Sequence, residues 1–150
     1  MTPPRWLTPP EMRAWRGFIE VVGRMNIHLE ADLAALGLTL GDYQVLVYLS
    51  ESDQHRMRMT DLADLLVLSP SGLTRRLDGL VKAGFVSRTK CAEDKRVMWA
   101  ELTDSGYARL VEVAPVHVES VRRHFIDRLT PEQIESIGGI FETLRPEEDD

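Results

Sequence analysis

The fold of this chain is decided by residues 69–102, which read SPSGLTRRLDGLVKAGFVSRTKCAEDKRVMWAEL. The opening Ser69-Pro70 pair predicts a helix start, because serine is a good N-cap and proline suits the first helical turn. Apolar residues then recur at helical spacing as far as about Ala83, and Gly84 predicts the C-terminal stop. The stretch therefore begins with one short, well-capped helix.

One face of this helix is apolar and the other is polar. Its core side is set by residues spaced i, i+4, i+7 and i+8, namely Leu73, Leu77, Leu80 and Val81. The opposite side carries Ser71, Arg75, Asp78 and Lys82, with Thr74 and Arg76 on the flanks. Such a helix can bury one face and offer the other to the major groove of DNA, where Arg75 is the best candidate for a bidentate contact to guanine. Ser69 and Ser71 suit a phosphate at the helix start; for Ser69 a role as a cap alone is an equal alternative, and the two roles are compatible.

A basic β-hairpin follows the helix. We predict strands over 85–91 and 96–102, joined by a polar turn over 92–95. Its cations are Arg88, Lys90, Lys95 and Arg96. A hairpin of this kind can place an arginine in the narrow minor groove, and Asp94 would then orient a neighbouring arginine. The alternative is an ordinary polar turn, which the basic helix beside it disfavours.

The residues before this stretch complete a recognisable order of elements. Thr39 starts a helix that is apolar on most sides and so is predicted to be buried. Residues 51–58 read as a polar connector, and Thr60 is predicted to cap a short helix that ends shortly before Ser69. Helix, short turn, helix and hairpin is the order of a winged helix-turn-helix.

Long amphipathic helices flank this segment. We predict one from Thr8 to Gly37, one from Thr103 to about Leu129 with a kink at Pro115, and a last one from Thr130 to just before Pro146. An acidic tail over 147–150 is expected to fray. The apolar stripes of these helices comprise Trp15, Phe18, Ile19 and Val22, then Val118, Val121, Phe125 and Leu129, then Ile134, Ile137, Phe141 and Leu144. One small lobe cannot cover them all, which favours a two-fold dimer over an intramolecular bundle.

Charge is distributed unevenly along the 150 residues. The formal net charge is −6, which by itself argues against a nucleic-acid partner. Residues 56–96, however, hold nine basic and five acidic side chains, a net +4, so the remainder carries −6 − 4 = −10. On charge alone, a solvated face on which basic residues cluster at random explains this segment as well as a DNA-binding surface does. The winged helix-turn-helix order of elements favours the DNA-binding surface.

Composition limits the other classes of protein. With 43% hydrophobic and 28% charged residues the chain is an ordinary globular one, and its length suggests a single domain. It shows no secretory signal and no run long enough for a membrane span, so a cytoplasmic location without membrane contact is expected. A single cysteine excludes an internal disulfide. Catalytic motifs are lacking, so we expect no enzyme, no catalytic residues and no cofactor.

Two blocks with a fitting separation resemble the MarR family of winged-helix transcriptional regulators. Residues 68–88 resemble the family's recognition helix and first wing strand. Glu-Asp-Lys-Arg at 93–96 followed by Leu-Thr-Asp-Ser-Gly at 102–106 resembles its wing signature, an Asp-x-Arg and then a Leu-Thr-x-x-Gly. Gly72, a poor helix former in the first turn, and Lys95, where the family often has arginine, depart from the pattern.

This resemblance implies a mainly α-helical fold with a small β-hairpin wing. It implies a single MarR-like domain over 1–150, with a DNA-binding lobe over about 39–106 and dimerisation helices over about 8–37 and 104–145. The expected function is a ligand-responsive repressor that binds a palindromic operator in double-stranded DNA as a homodimer. The expected DNA-binding residues are Ser69, Ser71, Thr74, Arg75, Arg76, Arg88, Lys90, Asp94, Lys95 and Arg96.

Family members often respond to small aromatic acids, phenols, metals or oxidants. The residues that could line an effector pocket are Trp15, Arg16, His28 and Tyr43, each of which could equally be packing or surface. Cys91 lies near Lys90 and Arg88, which could lower the pKa of its thiol, but a bystander cysteine on the wing is the favoured reading. His117 and His124 could share a helix face, yet they lack a third ligand, so no metal site is predicted.

Two other functions stay open at this point. A winged helix can serve protein–protein contact, but its exposed helix face should then be apolar, against which Arg75 and Lys82 argue. The other alternative is a small-molecule-binding module without DNA binding. The effect of Arg75→Ala and Arg96→Ala on binding to DNA at fixed salt separates these cases.

Overall fold

Residues 2–145 are the part of the chain that the computed structural model describes, and they hold six α-helices and three β-strands. In chain order these are α1 (Pro9–Ala34), α2 (Leu40–Glu51), β1 (Arg56–Arg58), α3 (Met59–Leu65), α4 (Pro70–Lys82), β2 (Val86–Lys90), β3 (Met98–Leu102), α5 (Asp104–His124) and α6 (Pro131–Leu144). The predicted class, mainly α-helical with a small β wing, is confirmed. The acidic tail over 147–150 lies outside the described residues.

The chain divides into two compact units. One is the segment Glu30–His117, called here the lobe, which includes the predicted winged helix-turn-helix over 39–106. The other, called here the outer unit, contains the chain up to Leu29 and from Val118 onward. The helices α1 and α5 each contribute residues to both units.

A continuous apolar core lies inside the lobe. The helix α2 contributes Val45, Leu46 and Leu49, all fully buried. This confirms the prediction that α2, which is apolar on most sides, is a buried helix. The helix α4 contributes Leu73, Leu77 and Leu80, so the predicted core side of this helix is confirmed. Burying several leucine-sized side chains at about 2 kcal/mol each stabilises the lobe enough to hold α4 in one place.

The sheet has three antiparallel strands in the order β1-β3-β2. The predicted hairpin is present, with Val86 opposite Leu102 and Lys90 opposite Met98, but its strands are shorter than predicted because 91–97 form a loop. The reading of 51–58 as a polar connector was wrong, since Arg56–Arg58 pairs with β3 as the third strand. A three-residue strand gives almost no local signal, because its stability comes from a partner distant in sequence.

Two of the predicted N-caps are present and one is absent. Ser69 and Thr130 cap α4 and α6 as predicted, and Gly37 and Gly84 adopt the left-handed conformation just beyond the ends of α1 and α4. Thr60 does not cap α3, because that helix already begins at Met59 as the chain leaves β1.

The predicted extent of α5 was wrong at its C-terminal end. The helix continues through Pro115 but ends at His124 rather than about Leu129. Phe125 leaves helical geometry with φ −136° and ψ −68°, and a 3₁₀ turn follows over Ile126–Arg128. Arg128 donates from Nε to the carbonyl oxygen of Arg123 at 3.1 Å, which satisfies one of the acceptors that the helix end leaves open.

The outer unit has aromatic contacts but little buried apolar surface of its own. The Phe18 ring lies 6.3 Å from Trp15 and 6.4 Å from Phe141, and the rings of His28 and His124 stack at 4.0 Å. Trp15 and Phe18 are nevertheless 55% and 45% exposed, and no residue of α6 is buried. The apolar faces of this unit therefore remain open in a single copy of the chain.

Candidate nucleic-acid interface

The exposed face of α4 begins with hydroxyl groups at the helix N-terminus. Ser69 caps the helix by accepting a hydrogen bond from the backbone N–H of Gly72 at 3.1 Å, and its hydroxyl lies 3.3 Å from that of Ser71. Thr74 donates to the carbonyl oxygen of Pro70 at 3.0 Å. All three side chains are exposed, so their remaining acceptor and donor capacity faces outward beside the positive end of the helix dipole.

The two arginines at the centre of α4 have different environments. Arg75 is exposed and makes no hydrogen bond or ion pair with residues 2–145. Arg76 turns back onto α2, where its Nη1 donates to Thr39 Oγ1 at 2.9 Å and lies 3.8 Å from Asp42 Oδ1. The structure therefore leaves Arg75 available for a ligand and gives Arg76 partners within the lobe.

An ion pair joins α4 to the first wing strand. Arg88 on β2 donates from Nη2 to Asp78 Oδ1 on α4 at 2.9 Å. Arg88 is half-buried, whereas Lys90, two residues further along the same face of β2, is exposed. Arg88 thus holds the wing against the helix, and Lys90 extends the free positive charge toward the loop.

The wing loop is built around one carboxylate. Asp94 Oδ1 accepts from both the backbone N–H and Nε of Arg96, at 3.0 and 3.2 Å, and its Oδ2 accepts from Nη2 at 3.3 Å. These hydrogen bonds hold the pKa of Asp94 below its usual value. The Arg96 side chain stays 92% exposed although it is tethered, and Lys95 beside it is also exposed. The predicted contact between Asp94 and a wing arginine is confirmed.

Cys91 lies at the start of the same loop. Backbone N–H groups of Asp94 and Glu93 hydrogen-bond the sulfur and lower the pKa of the thiol, with a smaller contribution from Trp99. The predicted direction of the shift is confirmed, but its cause is the loop backbone rather than Lys90 and Arg88. Cys91 is the single cysteine of the sequence, so it cannot form a disulfide within one chain.

Sequence reasoning missed a second group of cations on the outer face of the sheet. The guanidinium carbons of Arg56 and Arg58 lie 4.7 and 5.7 Å from the ring centroid of Trp99, which places both over its aromatic face. Arg58 also lies close enough to Asp94 to lower the pKa of that carboxyl group. The alternation Arg-Met-Arg over 56–58 is the signal that could have revealed the strand, because it puts both arginines on one face.

The four predicted effector-pocket residues lie in both units. Trp15, Arg16 and His28 belong to the outer unit and are exposed, whereas Tyr43 is buried in the lobe with its ring 4.2 Å from that of His117. A small apolar cavity of about 170 Å³ within the lobe has other lining residues, namely Met59, Thr60, Ala63, Pro70, Leu73, Thr74 and Met98. The effector pocket stays a prediction.

Residues 2–145 show neither a metal-binding cluster nor a membrane-spanning helix. They contain no group of three or more His, Cys, Asp or Glu side chains arranged to hold a metal ion. None of the helices in this range has the length and apolar character needed to span a membrane.

Known proteins are similar to this chain both within the lobe and beyond it. The sequence profile of the MarR family matches residues 38–98, which lie within the lobe. The HTH-type transcriptional repressor YetL of Bacillus subtilis is 34% identical over 128 residues, which cover 83% of this chain and 77% of that protein. The similarity therefore extends well beyond the lobe into the outer helices.

Two solved structures are similar over nearly their whole length. AbsC, a MarR family transcriptional regulator from Streptomyces coelicolor, is 43% identical with a TM-score of 0.88, over 94% of this chain and 95% of that one. Sco3205, a MarR family regulator from the same organism solved in complex with DNA, is 41% identical with a TM-score of 0.90, over 97% of this chain and 95% of that one. Fold, wing motif and sequence similarity agree, and the chain belongs to the MarR family of transcriptional regulators.

Proposed function

We propose that this protein is a repressor that binds a palindromic operator as a homodimer, reading each half-site with α4 and the wing. The observation that carries the proposal is the presence on one lobe of an unpartnered Arg75 on α4 and a tethered, exposed Arg96 on the wing. One side chain suits the major groove and the other the minor groove, which are the two surfaces that a winged helix meets on duplex DNA.

The recognition helix supplies both positioning and base contacts. The hydroxyls of Ser69 and Ser71, with the backbone N–H of Ser71, suit a phosphate oxygen at the edge of the groove. Arg75 lies one turn further along and has the planar donor fork that matches O6 and N7 of guanine. Thr74 between them can contact a base edge or a thymine methyl group.

The wing supplies a preorganised cation. Three hydrogen bonds from Arg96 to Asp94 restrict the arginine to one direction while leaving it in solvent, so less side-chain entropy is lost on binding. Lys90 and Lys95 add positive charge around it, and Arg58 extends that charge onto the outer face of the sheet. These cations can neutralise phosphates on either side of the minor groove.

A second copy of the chain is the partner that the outer unit requires. Exposed Trp15, Phe18 and Phe141 form one connected aromatic cluster, and Leu144 and Val118 add further exposed apolar surface. Apolar area of this kind on a regulator that must read a two-fold symmetric site fits an isologous dimer interface. We therefore propose that the helices over about 8–37 and 104–145 form the dimer, and that the lobes over about 39–106 read the DNA.

A small aromatic or phenolic effector is proposed as the signal that releases the operator. In the lobe, His117 Nδ1 is buried with no hydrogen-bond partner among the described residues, and burial lowers the pKa of this histidine. The Tyr43 ring lies against it. An aromatic acid or phenol could stack on these rings and satisfy the open nitrogen. As the relatives are bacterial proteins, we expect the regulator to act in the cytoplasm, and we propose no catalytic role.

Selection of binding sites from a random double-stranded DNA pool tests this function directly. We expect wild type to enrich a palindrome with half-site centres about one helical turn apart, and Arg75→Ala to lose that enrichment. Gel shifts of the enriched duplex with salicylate or a simple phenol then test the effector. Recovery of no preferred sequence would leave the protein–protein or small-molecule-binding alternatives in its place.

A further inference from the structure

The side chain of Arg76 is held at the N-terminus of α2 by a seat made of Thr39, Gly41 and Asp42, called here the arginine seat. Its Nη1 donates to Thr39 Oγ1 at 2.9 Å and lies 3.8 Å from Asp42 Oδ1. The guanidinium rests directly on Gly41, because a Cβ atom at that position would overlap the guanidinium carbon and both terminal nitrogens. A glycine in the first turn of a helix is otherwise unfavourable, so its value here is the space it leaves.

The residues of the seat are also hydrogen-bonded to one another and to α1, independently of Arg76. Thr39 and Asp42 form a capping box, in which the Asp42 N–H donates to Thr39 Oγ1 at 3.0 Å and the Thr39 N–H donates to Asp42 Oδ2 at 3.0 Å. The Leu40 N–H donates to Glu30 Oε2 on α1 at 3.0 Å. Three N–H groups at the start of α2, those of Thr39, Leu40 and Asp42, thereby find acceptors within the lobe, and Thr39 and Asp42 also contact Arg76.

Charge explains why a cation is stable in this place. The positive end of the α2 dipole alone would repel a guanidinium. The carboxylates of Asp42 and Glu30 offset that repulsion, and the Arg76 side chain is only 33% exposed. Leaving the seat would break a charge-assisted hydrogen bond and separate Arg76 from the carboxylate of Asp42.

The turn between α1 and α2 is held from another direction as well. Arg109 on α5 donates to the carbonyl oxygen of Leu36 and, from Nη1, to Glu112 Oε2 at 2.8 Å. Residues 36–42 thus receive polar contacts from α1, α4 and α5, all within the lobe. The only one of these contacts that comes from the recognition helix is made by Arg76.

We propose that Arg76 is a positioning residue for DNA binding, which ties α4 to α2 and so sets the direction in which Arg75 is presented. The two neighbouring arginines have separate roles: Arg75 contacts DNA, whereas Arg76 holds the helix that presents Arg75. This role replaces the direct DNA contact expected for Arg76 from the sequence. Its effect on DNA binding rests on the proposed function, whereas the tie itself exists in the free protein.

Two substitutions test the tie by opposite routes. Gly41→Ala fills the seat and displaces the guanidinium, but it keeps the arginine, its charge and every side chain that faces outward from α4. Arg76→Met removes the charge and keeps the apolar stem. Matched controls are Gly79→Ala, a helical glycine of the lobe with open space around it, and Arg5→Met, an exposed arginine outside the lobe and outside the proposed dimer helices.

For operator binding we expect both test variants to be weaker than wild type by about 5- to 30-fold, the range for residues that act through others. The double variant, with Gly41→Ala and Arg76→Met together, should bind operator no more weakly than the weaker-binding of the two single variants, because both substitutions remove the same contact. The slope of log K against log salt should stay unchanged. Wild-type or tighter binding by Gly41→Ala would show that the tie does not support DNA binding, and a slope reduced by about one unit in Arg76→Met would show a direct phosphate contact. Either result would overturn the proposal.

A measurement without DNA separates this inference from the proposed function. In ¹⁵N NMR of the full-length protein, the Arg76 Nε–H should give a resolved signal protected from exchange in wild type and not in Gly41→Ala. Circular dichroism melts confirm that each variant is folded. Equal exchange in the two proteins means that the tie is absent, whereas a protected signal in a protein that selects no DNA refutes only the operator function.

Discussion

The lobe and the outer unit make opposite use of their apolar residues. In the lobe, leucines and valines from α2, α4 and the sheet form one buried core. In the outer unit, Trp15, Phe18 and Ile140 are about as exposed as buried, and α6 buries none of its residues. The lobe has a buried core within one chain, whereas the outer unit leaves its apolar residues exposed, which is the basis for the proposed dimer.

The sign of the net charge also differs between the segment 56–96 and the rest of the chain. The segment 56–96, which lies inside the lobe, carries a net +4 within a chain of net −6. The sign of the total charge therefore says little about the partner, since the positive field is local and the acidic remainder limits binding to arbitrary polyanions. The following predictions test whether the lobe reads DNA and the outer unit assembles the dimer.

The largest effect is expected from a charge in the aromatic cluster of the outer unit. Phe141→Asp should convert the dimer to monomer in light scattering and reduce operator affinity by about 100-fold or more, because an unpaired carboxylate would be buried between two copies. Val67→Asp, a change at an exposed apolar residue of the lobe outside the proposed dimer helices, is the control and should stay dimeric. A dimeric Phe141→Asp protein would refute this assignment of the interface.

Removal of Arg75 ranks next. Arg75→Ala should cost about 1–3 kcal/mol of operator affinity and relax the preference at one base pair in each half-site, as loss of a bidentate guanine contact does. Binding-site selection with the variant and titrations at fixed salt measure both. Equal losses on all sequences would instead assign Arg75 to a phosphate.

The wing gives a prediction with a pH dependence. Hydrogen bonds from Arg96 lower the pKa of Asp94, so the tether is fully present above the ordinary carboxyl value of 3.8 and is lost only as the pH falls through the lower folded value. Arg96→Ala should raise the pKa of Asp94 in a ¹³C carboxyl titration. It should also weaken operator binding, and Asp94→Asn should do so to a smaller extent. An unchanged titration would contradict the tether.

Sequence reasoning captured the features that local signals encode. The capped helix at Ser69, the buried leucines of α4 and the contact of Asp94 with Arg96 all come from spacing and capping chemistry. The strand Arg56–Arg58 and the inward turn of Arg76 were missed, because each depends on a partner far along the chain, β3 for the strand and Thr39 for the arginine. The Arg-Met-Arg alternation is the one local trace of the strand, and three residues are too few to define a period, whereas the contact of Arg76 with Thr39 leaves no local trace.

The missed cations give a smaller prediction. Arg58→Ala should reduce the salt slope of operator binding by about one unit and weaken binding similarly on all sequences, as expected for a phosphate contact. Trp99→Leu should produce part of the same loss, because it removes the aromatic surface that holds the arginine. Arg24→Ala on the outer unit is the control, and an Arg58→Ala slope equal to that of the control would remove Arg58 from the interface.

The smallest effect is a gain in stability in the turn between α3 and α4. Val67 is 90% exposed and has φ +53°, a conformation that β-branched residues rarely adopt. Val67→Gly should raise the free energy of unfolding by about 1 kcal/mol by relieving this strain. Thermal melts at one protein concentration measure the gain, and a lowered midpoint would show that valine contributes contacts that outweigh the strain.

The salt dependence of operator affinity tests the central claim most directly, namely that an acidic protein binds DNA through two basic lobes. Each phosphate neutralised contributes about −0.9 to the slope of log K against log salt, so free cations on two lobes predict a slope steeper than about −4 for wild type. The outer-unit control Arg24→Ala should share that slope, since Arg24 is not one of the proposed DNA-binding cations and pairs with Glu20 within the outer unit. A wild-type slope near zero would contradict the account.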